Sequence, residues 1–197
     1  KAKDCGKPVH PSDTVDAFSL KPSIWSAVYR RDFLNRNDIR FLPTPGAAFQ
    51  DASFTFKVFA LADTAVYLHD SVLSYRQDNE GSSVNSPNKV HCVNDEYAEI
   101  HRWIVEDYAE AHSSQDVTKL LRFSNIIKYD SYMWSYIRLN PKFYAEFLDR
   151  MAQEFHGALE VHEFELTDLK PWKRVNLKAI VDDPQKWLAE SSDFADA

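Results

Sequence analysis

The sequence is poor in cysteine and has no surplus of positive charge. Of its 197 residues only Cys5 and Cys92 are cysteine, and their wide separation indicates neither a disulfide framework nor a metal knuckle. We therefore expect unpaired thiols in a reducing compartment. The net charge of -7 argues against nucleic acid as a partner, because no basic surplus is present to neutralise phosphates.

Long apolar runs and the common catalytic motifs are also missing. No segment approaches the ~20 apolar residues of a membrane-spanning helix, and the first residues do not resemble a signal peptide. We expect no transmembrane segment and a cytoplasmic protein, either free or at the inner membrane face. The chain contains no HExxH, GxSxG, P-loop or GxGxxG motif, and its seven histidines lack the spacing of a self-contained metal site.

What the chain does contain is enough apolar surface for a folded core, since 44% of its residues are hydrophobic and 14% aromatic. The patterns predict a helix-rich α+β fold with a soft boundary near residue 90. Residues 1–90 mix helices with short strands, and residues 91–197 form a helical C-terminal appendage. The first twenty residues show no period and do not begin with methionine, so we expect an extended lead-in and a longer parent protein.

Residues 21–90 alternate between helical and extended patterns, with Pro and Gly at the turns. The loop over residues 78–89 is polar. The predicted elements are a helix from Ser23 to Phe33, a short strand at Ile39–Phe41, a helix from Gln50 to Ala62 and a β-hairpin over residues 64–77 that turns at His69 and Asp70.

Residues 91–197 read as successive amphipathic helices. Their aromatic side chains Trp103, Tyr132, Trp134 and Tyr136 could stack on sugar rings, although core packing explains them better. The predicted elements are a helix capped by Asn94, a helix from about Gln115 to Arg138, a helix that starts at Asn140 and Pro141 and ends at Gly157, and an irregular tail with a short helix after Asp183 and Pro184.

Asp51 is the first candidate for a chemical role. It follows the flexible segment "PTPGAA" and shares a helical stripe with Phe54, Val58 and Leu61, so it points toward the buried side at the first turn. One interpretation is a helix-dipole or capping carboxylate. The other is a general base that the helix amides keep ionised. The pattern alone leaves both interpretations open.

The second candidate lies in "YRQDNEGSS", residues 75–83. Arg76 leaves a predicted strand into a loop rich in hydrogen-bonding groups, and Gly81 lets the backbone approach a ligand closely. A forked guanidinium is suited to phosphate oxygens, and Ser82 and Ser83 offer hydroxyls. An exposed loop with a surface arginine explains the same residues, and the spacing does not decide between the two.

A longer segment resembles a known family. The run "KPSIWSAVYRRDFLNRNDIRFLPTPGAAFQDASFTFKVFALADTAVYLHDSVLSYRQDNEGSS", residues 21–83, is similar to the second half of bacterial family 2 glycosyltransferases. In that family a "psiW..lYrrdFL...nIrF" segment leads to "g..fEDt.F", a helix, a hairpin and "YR..n..S". The similarity continues loosely through "KVHCVNDEYAEI". Helix, turn, acid, hairpin and arginine follow one another in the order and spacing of the family.

The resemblance implies a GT-A fold and an inverting transfer from a nucleotide-diphosphate sugar to a carbohydrate or other hydroxyl acceptor. Asp51 matches the acid that deprotonates the acceptor hydroxyl, although Gln50 replaces the usual glutamate before it. Gln50 and Trp25 fall on the acceptor side. The residues that match the loop near the donor diphosphate are Arg76, Asn79 and Ser82.

The family's first half, which holds the nucleotide domain and a DxD motif for Mn²⁺ or Mg²⁺, has no counterpart in this sequence. We therefore expect residues 1–90 to be the acceptor-side part of the catalytic domain, inactive alone and without a cofactor of its own. The acid pair Asp182 and Asp183 reads as a helix cap. The appendage would serve acceptor recognition or homo-oligomer contacts. The alternative is a non-catalytic helical interaction module of transferase ancestry.

Overall fold

The computed structural model describes residues 5–43, 49–71, 73–74 and 89–192. It is helix-rich, with 66% of the described residues in helices and a short antiparallel sheet, which confirms the predicted helix-rich α+β class. The chain divides into two compact units, Lys1–Val84 and Asn85–Ala197, which we call the first and the second unit. Both cysteines are free thiols, as predicted.

The first unit consists of short elements around one longer helix. In chain order they are β1 (Pro8–Val9), a 3-10 turn (Pro11–Asp13), α1 (Val15–Phe18), a 3-10 turn (Ile24–Ser26), α2 (Arg31–Arg36), α3 (Asp51–Leu61) and β2 (Ala65–Val66). The helix predicted from Gln50 to Ala62 is present as α3, within one residue at each end.

The expectation of an extended lead-in was wrong. Residues 8–18 form β1, a turn and α1, and Phe18 at the end of α1 is buried. Its ring packs against Phe56 at a centroid distance of 4.8 Å and against Phe59 at 6.0 Å. The segment shows no helical or strand periodicity because it places isolated side chains such as Phe18 in the core, rather than one continuous apolar face.

The helix predicted from Ser23 to Phe33 is broken into the 3-10 turn and α2. Ser23 makes no side-chain cap, and Ala27 is extended with φ -138°. Both Ile24 and Tyr29 pack against the buried cluster that contains Phe54. In one α-helix, residues five positions apart point about 140° away from each other, so the break lets both side chains reach the same core.

The short strand predicted at Ile39–Phe41 is not formed either, because Ile39 takes part in the end of α2. Asp38 has a left-handed φ of 47°, and the backbone N–H of Ile39 donates to the carbonyl of Leu34 at 2.9 Å. This is the arrangement of a Schellman motif, in which a left-handed residue closes the helix. Ile39 is buried as a result.

The predicted hairpin is replaced by a different pairing. β2 pairs with β1 in antiparallel register, Pro8 opposite Val66 and Val9 opposite Ala65. Gly6, with a φ of 75°, extends the contact through its N–H to the carbonyl of Tyr67 at 2.8 Å. Residues 67–71 and 73–74 form no strand, and the rest of the predicted second strand lies outside the described residues. Because β1 and β2 are more than fifty residues apart in sequence, no local sequence pattern could predict that they pair.

The second unit is a bundle of longer helices. The elements are α4 (Cys92–Arg102), a π-helical turn (Trp103–Tyr108), α5 (Ser114–Tyr136), a 3-10 turn (Pro141–Phe143), α6 (Tyr144–Glu160), a 3-10 turn (Leu166–Asp168), α7 (Pro171–Asp182) and α8 (Pro184–Ser192). α4 continues into the π-helical turn and packs on α5, while α6 packs against α7 and α8.

Sequence signals located most of these helices. The predicted helix from Gln115 to Arg138 is α5, whose N-cap Ser113 accepts a hydrogen bond from the backbone of Asp116 at 3.2 Å. Asn140 caps the turn before α6 through Lys142 N–H at 3.2 Å, as its position before proline predicts. Asn94 does not cap α4, which starts two residues earlier and buries Asn94 completely.

Gly157 does not end the third predicted helix, which runs on to Glu160. The helix closes at His162, whose φ is 58°, with the N–H of Glu163 donating to the carbonyl of Ala158 at 3.0 Å. This is a second Schellman-type end with a residue other than glycine in the left-handed position. The glycine therefore marked a helical position, and the stop signal lay five residues further on.

The tail is more regular than predicted, since α7 occupies residues 171–182. The short helix predicted after Pro184 is present as α8. Its cap is also confirmed, because the carboxylate of Asp183 accepts the backbone N–H of Lys186 at 2.9 Å. Asp182 instead forms an ion pair with Lys178 at 2.5 Å. In the described part of the chain, no helix has both the length and the apolar character to cross a membrane.

Three polar pairs connect α4 and the residue just before it to α6 and the residues after it. His91 lies 2.6 Å from Glu146, Arg150 donates to Asp95 at 3.0 Å, and His101 lies 2.7 Å from Glu163. The hydrogen bond that the His101 ring donates to the Glu163 carboxylate raises the pKa of His101, against burial and the charge of Lys128, both of which lower it. The His101 pair therefore makes stability depend on pH.

We predict that the second unit loses stability from this pair as the pH rises. Because the pKa of His101 is raised in the folded state, its contribution to stability is fully present below the unfolded pKa of about 6.5 and is lost as the pH rises through the higher folded pKa. Urea midpoints of wild type and His101→Gln should differ more at about pH 5.5 than at pH 8.5, by a small amount because the pair is partly exposed. His156→Gln is the control, since His156 and its partner Glu160 are both mostly exposed on α6. A wild-type advantage that does not shrink between the two pH values would contradict the assignment.

Candidate active site

Asp51 lies where the chain turns into α3, the most buried helix of the first unit. The residue two positions before it, Phe49, has a left-handed φ of 59°, which is rare for a bulky side chain. Gln50 follows as the N-cap residue, and its side-chain amide donates to the carbonyl of Leu42 at 3.3 Å. A constrained backbone thus holds the start of the helix and the segment around Leu42 together.

The stripe predicted for Asp51 is present in the structure. Phe54 and Val58, three and seven residues after it, are buried in one cluster with Ile39, and Leu61 packs against that cluster. On another side of α3, Phe56 is buried against Phe18. The helix is therefore internal, as its apolar residues on all sides predicted.

The electrostatics of Asp51 differ from the expectation. Burial raises the pKa of the Asp51 carboxyl above its ordinary value, and this effect outweighs the lowering by its own backbone amide and by the charge of Lys21. The helix amide acts in the predicted direction, but desolvation dominates. The result is a carboxylate that binds a proton more strongly than an exposed aspartate does.

Tyr29 is a titratable neighbour of Asp51 that the sequence did not reveal. Burial raises the pKa of its hydroxyl, and the negative charge of Asp51 raises it further. Its ring meets Phe54 edge to face at a centroid distance of 5.4 Å. Tyr29 therefore stays a neutral phenol beside the carboxylate, able to donate or accept a hydrogen bond.

Two further aromatic residues of the first unit remain partly exposed. Phe41 stacks on Phe54 at 4.3 Å with an interplanar angle of 13°, and 44% of it stays exposed. Trp25, placed on the acceptor side by the resemblance, is 40% exposed in the turn after Ile24. The arrangement around Phe54 thus combines a half-buried acid, a phenol and accessible ring surface.

The residues assigned to the donor, Arg76, Asn79 and Ser82, lie outside the described residues. The structure therefore neither joins them to Asp51 nor separates them from it. Among the residues that it does describe, no group of three His, Cys, Asp or Glu side chains is arranged to hold a metal ion.

The second unit contains a buried polar network that sequence reasoning missed. The ammonium of Lys128 lies 2.6 Å from Glu154, and the hydroxyl of the fully buried Tyr132 donates to the same carboxylate at 2.5 Å. Arg150 donates to the other oxygen of Glu154 at 2.9 Å. The sequence signals were two i, i+4 spacings, Lys128 with Tyr132 and Arg150 with Glu154, and neither says anything about a partner on another helix.

Burial alone would raise the pKa of Glu154, but its partners Lys128, Tyr132 and Arg150 hold it below its ordinary value. Burial lowers the pKa of Lys128, and Glu154 offsets part of that effect.

Core packing is confirmed for the aromatic residues of this unit that could have stacked on sugars, since Trp103, Tyr132 and Tyr136 are buried. Trp134 is partly exposed and carries the guanidinium of Arg138 over its ring at 3.9 Å.

Comparison of the chain with protein-family models, with curated proteins and with solved structures gives no match in any of the three.

Proposed function

We propose that this chain provides the acceptor side of an inverting glycosyltransferase, which moves a sugar from a nucleotide-diphosphate donor to a hydroxyl of a glycan or another acceptor. The observation that carries the proposal is the placement of Asp51, a half-buried carboxylate of raised pKa at the start of an internal helix. It occurs in a segment, residues 21–83, that resembles the family 2 enzymes. A cytoplasmic location, where nucleotide sugars are made, belongs to the same proposal.

The proposed step is a single displacement at the anomeric carbon. Asp51 accepts the proton of the acceptor hydroxyl while the oxygen forms a bond to that carbon from the face opposite the leaving group. The bond between the carbon and the diphosphate breaks, and the nucleoside diphosphate leaves with the electron pair. A carboxylate whose pKa is raised but which is still ionised is a better general base than an exposed one.

The donor would be bound by a nucleotide domain outside residues 1–197, together with the loop that contains Arg76, Asn79 and Ser82. A divalent ion held by that domain would neutralise the diphosphate. The described residues of this chain contain no group that fits such an ion, so its chemistry is not assigned to them.

We predict that the isolated chain does not bind nucleotide sugars. Calorimetric titration with UDP, UDP-glucose and UDP-N-acetylglucosamine, each with and without Mn²⁺, should give no heat beyond dilution, because the nucleotide contacts are assigned elsewhere. Micromolar affinity with a dependence on Mn²⁺ would place the donor site within these 197 residues and contradict this division of roles.

The direct test of the proposed function is transfer itself. The protein that contains this chain together with its nucleotide domain is incubated with a panel of nucleotide sugars and glycan acceptors, and release of nucleoside diphosphate and glycosylated product are both measured. Product formation supports the proposal. If no nucleotide domain accompanies the chain and no product forms, the alternative of a non-catalytic helical interaction module replaces it.

A further inference from the structure

Phe41 presents accessible ring surface close to the helix that begins with Asp51. Its ring lies nearly parallel to the buried ring of Phe54, 4.3 Å away, which fixes its orientation. Buried Ile39 anchors the chain two residues earlier, and the hydrogen bond from Gln50 to the Leu42 carbonyl holds it on the other side. An aromatic ring that is both fixed and 44% exposed costs little conformational entropy when a ligand covers it.

Tyr29 contacts the same Phe54 ring in a T-shaped arrangement, with the ring centroids 5.4 Å apart and an interplanar angle of 88°. Phe41 and Tyr29 therefore both contact the same ring, and Asp51 lies one helical turn before Phe54. Apolar ring surface bordered by a few polar groups is the composition typical of small-ligand sites. The negatively charged face of an aromatic ring favours contact with polarised C–H groups, which line one face of many sugar rings.

We propose that Phe41 and Tyr29 form a binding surface for one pyranose ring of the acceptor, beside Asp51. The C–H face of the sugar lies on Phe41, and its hydroxyl groups reach the Tyr29 hydroxyl and the Asp51 carboxylate. Sugars whose hydroxyl groups are mainly equatorial, and whose C–H face is therefore continuous, are the expected class. The inference rests on the proposed function, since it names the substrate that the base would act on.

The test is an NMR titration of the 197-residue chain with its aromatic side chains labelled with ¹³C. The probes are methyl β-D-glucopyranoside, methyl β-D-galactopyranoside and methyl α-D-mannopyranoside. At least one β-linked probe should bind with a Kd in the millimolar range, which corresponds to roughly one stacked ring and a few hydrogen bonds. The ring signals of Phe41 and Tyr29 should move, while those of Trp172 in the second unit should not. A titration in which these two rings do not move with any probe overturns the proposal.

Substitutions test whether Phe41 and Tyr29 form the binding surface. Phe41→Leu keeps an apolar side chain over Phe54 but removes the ring, and should weaken binding about tenfold. Tyr29→Phe removes only the hydroxyl and should weaken it about fivefold. Trp172→Leu, which removes an exposed aromatic residue of the second unit, is the matched control and should bind as wild type. Unchanged affinity in Phe41→Leu, with an unchanged melting temperature, overturns the proposal.

The variants Asp51→Asn and Phe41→Leu together distinguish a failure of this inference from a failure of the proposed function. If Asp51→Asn loses transfer while Phe41→Leu binds the probes as wild type does, the base assignment stands and the binding surface is wrong. If Phe41→Leu weakens probe binding while Asp51→Asn transfers normally, the surface stands and the proposed catalytic function is wrong.

Discussion

Replacement of Asp51 by asparagine should remove about 10²–10⁴-fold of the transfer activity of the complete enzyme while leaving its fold intact, because asparagine cannot accept the acceptor proton. The loss should appear in kcat. Donor binding and slow donor hydrolysis should suffer less, since neither requires deprotonation of the acceptor. In the wild-type pH–rate profile, activity should fall on the acid side with an apparent pKa above the ordinary aspartate pKa of about 3.9, since burial raises the pKa of Asp51.

Stability distinguishes the base from a helix cap. A capping carboxylate contributes about 1 kcal/mol, which the variant would lose in part. A carboxylate whose pKa burial raises is less favourable in the folded state at neutral pH, so Asp51→Asn should melt at the wild-type temperature or slightly above it. Asp63→Asn, at an exposed position just after α3, is the control for both assays. A variant that unfolds readily but transfers normally would identify Asp51 as a structural cap.

Replacement of Glu154 by glutamine should destabilise the second unit by about 3 kcal/mol, the typical cost of leaving one partner of a buried ion pair uncompensated. Lys128, only 12% exposed beside the ring of Tyr132, would lose the carboxylate that offsets the burial of its ammonium. Urea unfolding followed by tryptophan fluorescence measures the effect, since Trp103, Trp134, Trp172 and Trp187 all belong to this unit.

Two variants control for other causes. Glu160→Gln removes an exposed carboxylate from the same helix α6 and should change the unfolding free energy by less than about 0.5 kcal/mol. The double variant Lys128→Met, Glu154→Gln removes the unpaired charge and should recover part of the loss. Equal effects of Glu154→Gln and Glu160→Gln would show that the Lys128 network does not stabilise the bundle.

The parts of the fold that could be predicted are those whose apolar periodicity and capping residues lie within the element itself. The helix α3 has an internal apolar pattern over eleven residues, and α8 has Asp183 as a cap before Pro184. Such signals act within one or two helical turns and do not depend on distant contacts, so the structure confirms the elements that they predict. The predicted stripe of Asp51 survived for the same reason, because the positions i, i+3 and i+7 share a face in any regular helix.

The parts that could not be predicted depend on contacts distant in sequence. The break after Ser26 follows from the contact of Tyr29 with Phe54 on α3, and β2 pairs with β1 rather than with its sequence neighbour. The same contact brings Tyr29 to Asp51, which completes the acidic end of the candidate site. The raised pKa of Asp51 was missed as well, because the sequence shows the helix amide but not how much solvent the fold removes.

The π-helical turn after α4 bears on how this chain can change in length. At Trp103–Tyr108 the N–H of Ala109 donates to the carbonyl of Ile104, five residues back, at 3.1 Å. Such a turn holds one residue more than a regular α-helical turn. A one-residue deletion here would convert the segment into ordinary α-helix and keep the buried face of α4, whereas a deletion within α5 would rotate every later side chain by about 100°. The turn is therefore a point in the bundle where a single codon can be lost while the packing on either side is retained.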